Sequence, residues 1–210
     1  MGSPTLFLDT NIYLGYALDA RFEFFHLECS KVFHARRDRH TSETVRDELR
    51  QKQQDRLTLY GDLVKHLDSC KPPNQFVCSI LKDSDQEHTT KVLNLFRDAK
   101  LSLEYLRMLG TELKEGILAG LKLTNKPLVK PGDNESMMRH FETAIDIHYP
   151  DNMILTDFFE WAFPHDGSVF VTSDGGIHQN RGAILQHVRS CKGDCSHLSV
   201  QFIREIASKL

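Results

Sequence analysis

Apolar positions follow two different rhythms along this chain. A continuous apolar run at residues 6–8 ends in Asp9, and a second run at residues 169–171 leads into Asp174. Continuous runs this short predict buried strands, and the alternation at residues 198–202 predicts a last strand. Elsewhere apolar residues recur at helical spacing. Helices that alternate with short apolar strands predict a parallel α/β sheet.

Helical spacing covers most of the remaining sequence. Residues 22–37 form one amphipathic segment, and Ser42 has the side chain of an N-cap for the long helix that carries Glu48. Further helices are predicted at 84–109, 111–123, 137–149, 150–162 and 181–189, with a helical tail after the last strand. The clearest loop is 124–134, which holds two prolines and a glycine.

The chain length and the pattern together set the expected architecture. At 210 residues the chain is predicted to be one domain, residues 1–210. The predicted fold class is α/β, a three-layer α/β/α arrangement with a short parallel central sheet, plus a helical insertion at about 70–135. The longest stretch without Asp, Glu, Lys or Arg is 72–81, which is too short for a membrane-spanning helix. We therefore expect no membrane partner.

Composition narrows the class of partner and the compartment. With 26 Lys and Arg against 29 Asp and Glu, the formal charge is −3, which excludes binding of nucleic acid through bulk positive charge alone. The five cysteines are an odd and scattered set, so we expect reduced thiols and a cytoplasmic or other reducing intracellular location. They are Cys29, Cys70, Cys78, Cys191 and Cys195.

Four carboxylates are the strongest chemical candidates. Asp9 and Asp174 follow apolar strands, and in open parallel sheets ligands bind beyond the carboxyl ends of the strands. Glu48 and Asp151 lie on or beside the buried faces of predicted helices. Two unit charges about 5 Å apart repel by roughly 3 kcal/mol at an effective dielectric constant of 20. If the four converge, they require either shared protons or a hard divalent cation, for which Mg²⁺ or Mn²⁺ suits an all-oxygen set better than zinc.

Four segments of the sequence resemble the PIN-domain nucleases in identity and order. These are Leu6-Phe7-Leu8-Asp9-Thr10-Asn11, Ser42-Glu43-Thr44-Val45-Arg46-Asp47-Glu48-Leu49, Asp151-Asn152-Met153-Ile154-Leu155 and Val169-Phe170-Val171-Thr172-Ser173-Asp174. The resemblance covers roughly residues 5–48 and 151–210. Small members of the family have a much shorter segment between the second and third motifs.

The resemblance implies a site and an activity. The metal-binding quartet would be Asp9, Glu48, Asp151 and Asp174, with Asn11 and Thr172 as polar neighbours that orient the carboxylates and a water. The implied cofactor is Mg²⁺ or Mn²⁺, and the implied reaction is metal-dependent endonucleolytic hydrolysis of phosphodiester bonds. RNA is the expected partner and DNA the alternative, and the helical insertion is a candidate surface for a homodimer or a protein partner.

Several alternatives stay open at this point. Glu43 and Asp47 are alternatives to Glu48, because one residue turns a helical side chain by about 100°. The same fold without turnover would be a scaffold that binds RNA or protein. An apolar strand followed by Asp9 also resembles the haloacid-dehalogenase-like phosphatases, with Lys130 and Asp133 downstream. Against that resemblance, Asn11 stands where those enzymes have a second acid, and the order of segments differs.

A second group of potential metal ligands lies near the C-terminus. His187, Cys191, Cys195 and His197 fall within eleven positions, which raises the question of a zinc site. Their spacing matches none of the common structural zinc patterns. The pattern is more typical of ordinary thiols and imidazoles.

A basic segment precedes and includes the second motif. Residues 31–56 hold eight Lys and Arg against five Asp and Glu. This excess indicates either a binding surface for a phosphate backbone or a solvated helix face. Phe24 and Tyr13 could stack on bases, although aromatic side chains are more often part of a core.

Overall fold

Four short parallel strands form the one sheet of the computed structural model, which describes residues 4–72, 75–76, 85–165 and 167–210. They are β1 (Thr5–Leu8), β2 (Arg39–His40), β3 (Ser168–Thr172) and β4 (Ser199–Phe202). The order is β2-β1-β3-β4, and all three pairings are parallel. The two apolar runs, β1 and β3, are central neighbours because both faces of a central strand are covered. The prediction of a parallel α/β sheet is confirmed.

Helices make up most of the remaining described residues. They are α1 (Thr10–Ala17), α2 (His26–His34), α3 (Glu43–Asp68), α4 (Gln86–Arg97), α5 (Leu103–Leu123), α6 (Glu135–Ala144), α7 (Asp151–Ala162), α8 (Gly175–Gln179), α9 (Arg181–Lys192) and α10 (Ile203–Ala207). Ser42 caps α3, since its hydroxyl accepts a hydrogen bond from the Val45 amide. Among the described helices, none is both long and apolar enough to cross a membrane.

The helix boundaries predicted for 84–109 and 111–123 are wrong. The break lies at residues 98–102, and α5 runs without interruption through Gly110. Ala99 has a positive φ of 54°, and the amide of Lys100 donates to the Leu95 carbonyl, so the chain reverses after α4. Residue 84, where the first of these helices was predicted to start, lies outside the described residues.

Two other predicted helices are shorter than their apolar pattern. The segment at 22–37 is helical only over His26–His34, and the segment at 137–149 ends at Ala144. Asp146 has a positive φ of 61°, and the Ile147 amide donates to the Phe141 carbonyl. This reversal keeps Ile147 buried, so the apolar pattern continues after the helix has ended.

The predicted insertion contributes a helix to the core. α5 packs against α1 and α3, and two glycines permit that approach. A Cβ on Gly116 would lie 2.3 Å from the carbonyl oxygen of Ala17, and a Cβ on Gly110 would lie 3.0 Å from Leu57. The buried apolar cluster includes residues of β1, β3, α1, α3 and α5.

The described cysteines are not disulfide-bonded. Cys29 and Cys195 are buried, whereas Cys70 and Cys191 are exposed. Cys78 lies outside the described residues. The reducing compartment stays a prediction.

Candidate metal centre

Asp9 lies at the centre of the site. It follows β1 directly and caps α1, with Oδ1 accepting a hydrogen bond from the Thr10 amide at 2.7 Å. Its Oδ2 accepts from the Thr172 hydroxyl, also at 2.7 Å. The side chain is fully buried. The strand end therefore fixes both carboxylate oxygens of Asp9.

Thr172 connects the two central strand ends. Its hydroxyl donates to Asp9 and accepts from the backbone amide of Asp174 at 2.9 Å. Asp174 in turn caps α8, with Oδ1 accepting from the Ile177 amide at 2.8 Å. Because β1 and β3 are parallel neighbours, Asp9 and Asp174 lie at the same edge of the sheet.

Glu48 reaches the site from α3. Its Oε2 accepts from the Thr10 hydroxyl at 2.5 Å, so Thr10 contacts both Asp9 and Glu48. Glu43 and Asp47, the alternatives on the same helix, do not share this contact, and Asp47 instead pairs with Arg46 and Arg50.

Lys52 places a positive charge inside the acidic group. Its ammonium lies 3.6 Å from Oε1 of Glu48, one helical turn away, and the side chain is buried. A lysine is almost never buried without a partner. The carboxylates therefore have a partial counter-charge supplied by the chain itself.

Asp151 begins α7 and completes the group. Burial, followed by the charges of Glu48 and Asp174, raises the pKa of Asp151 to about 7, and Lys52 opposes this shift. Burial also raises the pKa of Asp9, with further contributions from Asp151, Glu48 and Asp174. The structure thus brings all four predicted carboxylates close enough to perturb one another.

The four carboxylates form an open arrangement. Within the described ranges, no group of three or more His, Cys, Asp or Glu side chains has the arrangement of a preformed metal site. Two carboxylates shift each other's pKa over distances much longer than an Mg²⁺–oxygen bond, which is about 2.0–2.1 Å. The four carboxylates are therefore electrostatic neighbours. Their donor atoms and their surplus negative charge nevertheless fit a hard divalent cation.

Asn11 lies on the Asp174 side of the site. It is half-buried and lines a cavity together with Ser173, Asp174 and Gly175. The predicted polar neighbours are thus placed differently. Thr172 bonds the Asp9 carboxylate and the Asp174 backbone amide, whereas Asn11 lines the adjoining cavity.

A buried aspartate supports α7 from the other side. Asp157 is fully buried, and its Oδ1 accepts from the Gly132 amide at 2.7 Å. Within the loop at 124–134, Val129 pairs with Ser42 in an isolated parallel bridge. The loop therefore joins α7, which carries Asp151, to the start of α3, which carries Glu48.

Lys130 and Asp133, the downstream residues of the phosphatase alternative, lie in the loop before α6. The Asp133 amide donates to Glu160, whereas Asp151 is the first residue of the helix. Glu160 lies nine positions after Asp151 along the helix, which is a distance of about 14 Å. The structure thus associates Asp133 with the far end of α7.

The candidate zinc ligands have separate partners. Cys191 Sγ lies 3.5 Å from His187 Nε2, and the His187 ring stacks on His140. Cys195 contacts the Leu185 carbonyl, and His197 contacts the Phe163 carbonyl. The four side chains are not gathered around one point.

The basic segment is not one continuous surface. Arg39 is buried and donates to the carbonyls of Ala35 and Leu123. Lys52 and Arg56 are also buried and pair with acidic side chains. These three of the eight basic residues are thus internal, and a phosphate backbone cannot reach them from solvent.

The two aromatic candidates have different environments. Tyr13 is fully buried, and its hydroxyl bonds the Thr124 hydroxyl at 2.6 Å. Phe24 is 61% exposed. Only Phe24 of this pair is accessible to a base.

Sequence reasoning missed Thr10 and Lys52. The signal that could have found them is their position: Thr10 follows the strand-ending aspartate, and Lys52 follows Glu48 by one helical turn.

Comparison of the chain with family models, with curated proteins and with solved structures found no match.

Proposed function

We propose that this chain is a metal-dependent endoribonuclease that hydrolyses RNA phosphodiester bonds at the four-carboxylate site. The observation that carries the proposal is the convergence of Asp9, Glu48, Asp151 and Asp174 at the carboxyl ends of two parallel strands. The α/β architecture is consistent with a three-layer PIN-like domain with a helical insertion at about 70–135. Four segments that resemble PIN-domain nucleases supply all four carboxylates.

The donor set supports Mg²⁺ or Mn²⁺ as the cofactor. Asp9, Glu48, Asp151 and Asp174 would hold it through oxygen atoms. When bound, such a cation lowers the pKa of a nucleophilic water and stabilises charge on the phosphate. Burial, and then the charges of the neighbouring acids, raise the pKa values of Asp9 and Asp151. This supports the assignment, because a bound cation would offset both the burial and the repulsion of the carboxylates.

The chain's own residues prepare the site. Thr10 and Thr172 hold the oxygens of Asp9 and orient Glu48 and Asp174. Such fixed carboxylates lose little freedom on binding a ligand. Lys52 limits the repulsion within the group, since its ammonium lies beside Glu48.

A cleavage assay tests this proposal. Labelled single-stranded and structured RNA, and the corresponding DNA, are incubated with Mn²⁺ or with EDTA. The wild-type chain is compared with Asp9→Asn and Asp174→Asn. Products should require Mn²⁺ and both aspartates. Cleavage in EDTA, or cleavage that survives both substitutions, would contradict the proposed chemistry.

A second candidate is a scaffold that binds RNA or protein without turnover. Lys52 favours it, because a buried ammonium beside Glu48 supplies part of the positive charge that a metal would otherwise provide. A titration with RNA over a range of salt concentrations separates the two functions. Tight binding without products in Mn²⁺ would favour the scaffold.

A further inference from the structure

A cavity of about 350 Å³ adjoins the carboxylate site on its Asp174 side. Asn11 and Ser173 line it next to Asp174, and its lining also includes Glu23, Phe24 and Arg56. Clefts of this size are typical of small-ligand sites. A group bound here would therefore lie next to whatever is bound at the carboxylates.

One wall of the cavity is a buried ionic network. Arg56, which is 3% exposed, donates from Nε and Nη2 to both carboxylate oxygens of Asp85 and from Nη1 to Glu23. The His88 ring contacts Glu23 Oε1 at 3.0 Å and the Tyr60 hydroxyl at 2.7 Å. The wall is thus held by several hydrogen bonds. The Glu23 and Asp85 side chains are 12% and 16% exposed against 3% for Arg56, so the wall offers carboxylates rather than the guanidinium.

The network carries a net negative charge. Burial alone would raise the pKa of Glu23, but Arg56 and His88 outweigh burial and lower it, so this carboxylate is ionised. Burial and Arg56 lower the pKa of His88, which keeps the imidazole neutral. Two carboxylates against one guanidinium leave a charge of −1. This wall repels phosphate and favours N–H donors.

An exposed aromatic side chain stands at the cavity. Phe24 is 61% exposed even though the Lys91 ammonium lies 3.4 Å from its ring centroid. An aromatic face beside a polar wall is the combination that binds an unpaired base, which stacks on the ring and offers its edge to the wall. Lys91 brings a positive charge to the same ring, and such a charge attracts the phosphate backbone of a nucleic acid.

We propose that this cavity binds one nucleobase of single-stranded RNA, next to the phosphodiester at the carboxylate site, and that it prefers guanine. This rests on the proposed nuclease function. Guanine presents two adjacent donors, N1–H and N2–H, to an acidic wall. Uracil presents a single N–H donor between two carbonyl acceptors and suits the same wall least.

A binding experiment without turnover tests the proposal. The probes are a fluorescently labelled five-nucleotide oligouridine and the same oligonucleotide with one guanine, titrated against the full chain carrying Asp9→Asn. The guanine-containing probe should bind about tenfold more tightly. Phe24→Ala should weaken its binding by about 5- to 100-fold, and Phe24→Trp should restore it. Equal affinity for the two probes would overturn the proposed preference.

Leu27 provides a matched control for Phe24. It is 67% exposed and lies three residues away, so Leu27→Ala removes a similar exposed apolar group. This variant should bind both probes like its parent. If Phe24→Ala also binds like its parent while its melting temperature is unchanged, the base site is refuted. Guanine-selective binding without cleavage by the wild-type chain would instead refute the nuclease function and leave the base site standing.

Discussion

Two buried groups of charged side chains lie along one face of α3, and the pKa values of their acids shift in opposite directions. Glu48, Lys52 and Arg56 are each one turn apart on this face. Around Glu48, four carboxylates share one ammonium, and the pKa values of Asp9 and Asp151 are raised. Around Arg56, the guanidinium bridges two carboxylates.

Burial acts in the same direction on the acids of both groups, so the counter-charge decides the result. It raises the pKa of Asp9 and would raise that of Glu23, but Arg56 and His88 reverse the shift at Glu23. The group around Glu48 keeps a surplus of negative charge that a cation can relieve. The group around Arg56 keeps a smaller negative charge, because one guanidinium pairs with both of its carboxylates, and it forms one wall of the cavity.

The largest expected effect follows from removing the guanidinium of Arg56. Arg56→Met leaves Glu23 and Asp85 without their buried counter-charge, which should destabilise the fold by about 3–5 kcal/mol. Urea denaturation measures the loss. The control is Arg50→Met on the same helix, whose side chain is 70% exposed and which should change stability by less than about 0.5 kcal/mol. Equal losses of stability in the two variants would show that the buried Arg56 network stabilises the fold no more than the exposed Arg50 does.

A divalent cation should stabilise the folded chain by binding to the carboxylates around Glu48, and not to the network around Arg56. At Mn²⁺ concentrations about 100-fold above the dissociation constant, the gain is about 2.7 kcal/mol, or roughly 5–10 °C in Tm for a chain of this size. Differential scanning fluorimetry with Mn²⁺ and then EDTA measures it. Asp174→Asn should lose most of the shift, whereas Arg50→Met should keep it. A shift retained by Asp174→Asn would place the cation elsewhere.

Stability of the metal-free chain should fall as the pH rises. Asp151 has a pKa of about 7 in the folded state against an ordinary value of 3.8, so the folded state holds its proton longer than the unfolded state does. Its stabilising contribution is complete below about pH 4 and is lost as the pH rises through 7. Between pH 5 and 8 the loss should be on the order of 1–3 kcal/mol.

Asp151→Asn should make that pH profile shallower. The control is Asp146→Asn, because Asp146 is 91% exposed and asparagine tolerates its positive φ. Asp146→Asn should retain the wild-type slope in urea denaturation across this pH range. An unchanged slope in Asp151→Asn would show that burial and the neighbouring acids do not raise the pKa of Asp151.

The smallest expected effect concerns Lys52. Lys52→Met removes the internal ammonium, which leaves the carboxylates more negative and raises the pKa of Asp151 further. Mn²⁺ should then bind more tightly, by about 3- to 10-fold, as measured by calorimetry. Lys65→Met, which removes an 80% exposed lysine of α3, should leave the affinity unchanged. Weaker binding after Lys52→Met would mean that the lysine supports the site rather than opposing the cation.

Three of the four strands and the two strand-end aspartates were predictable from the sequence, for a physical reason, whereas the two-residue edge strand β2 was not predicted. Buried parallel strands require continuous apolar runs, and only two such runs end in an acid. Topology then places Asp9 and Asp174 at one edge. Glu48 depended on the resemblance, because helical spacing alone left Glu43 and Asp47 open, whereas helical spacing placed Asp151 on the buried face of its helix.

The remaining features had no local signal. The reversal after α4 uses a positive φ at Ala99, a residue type that does not mark such a position in the way glycine does. The ionic network around Arg56 joins residues 29 and 33 positions away, Asp85 and Glu23. Spacing rules describe neighbours along one element, whereas this network depends on how elements pack.

We propose that the four carboxylates around Glu48 bind the divalent cation that RNA cleavage requires. The most direct measurement is the single-turnover rate of RNA cleavage in Mn²⁺ for the wild-type chain, Asp174→Asn and Asp146→Asn. We expect the wild type and Asp146→Asn to cleave at the same rate, and Asp174→Asn to be slower by about 100-fold or more. Equal rates in Asp174→Asn and the wild type, or no cleavage by any of the three, would contradict the account.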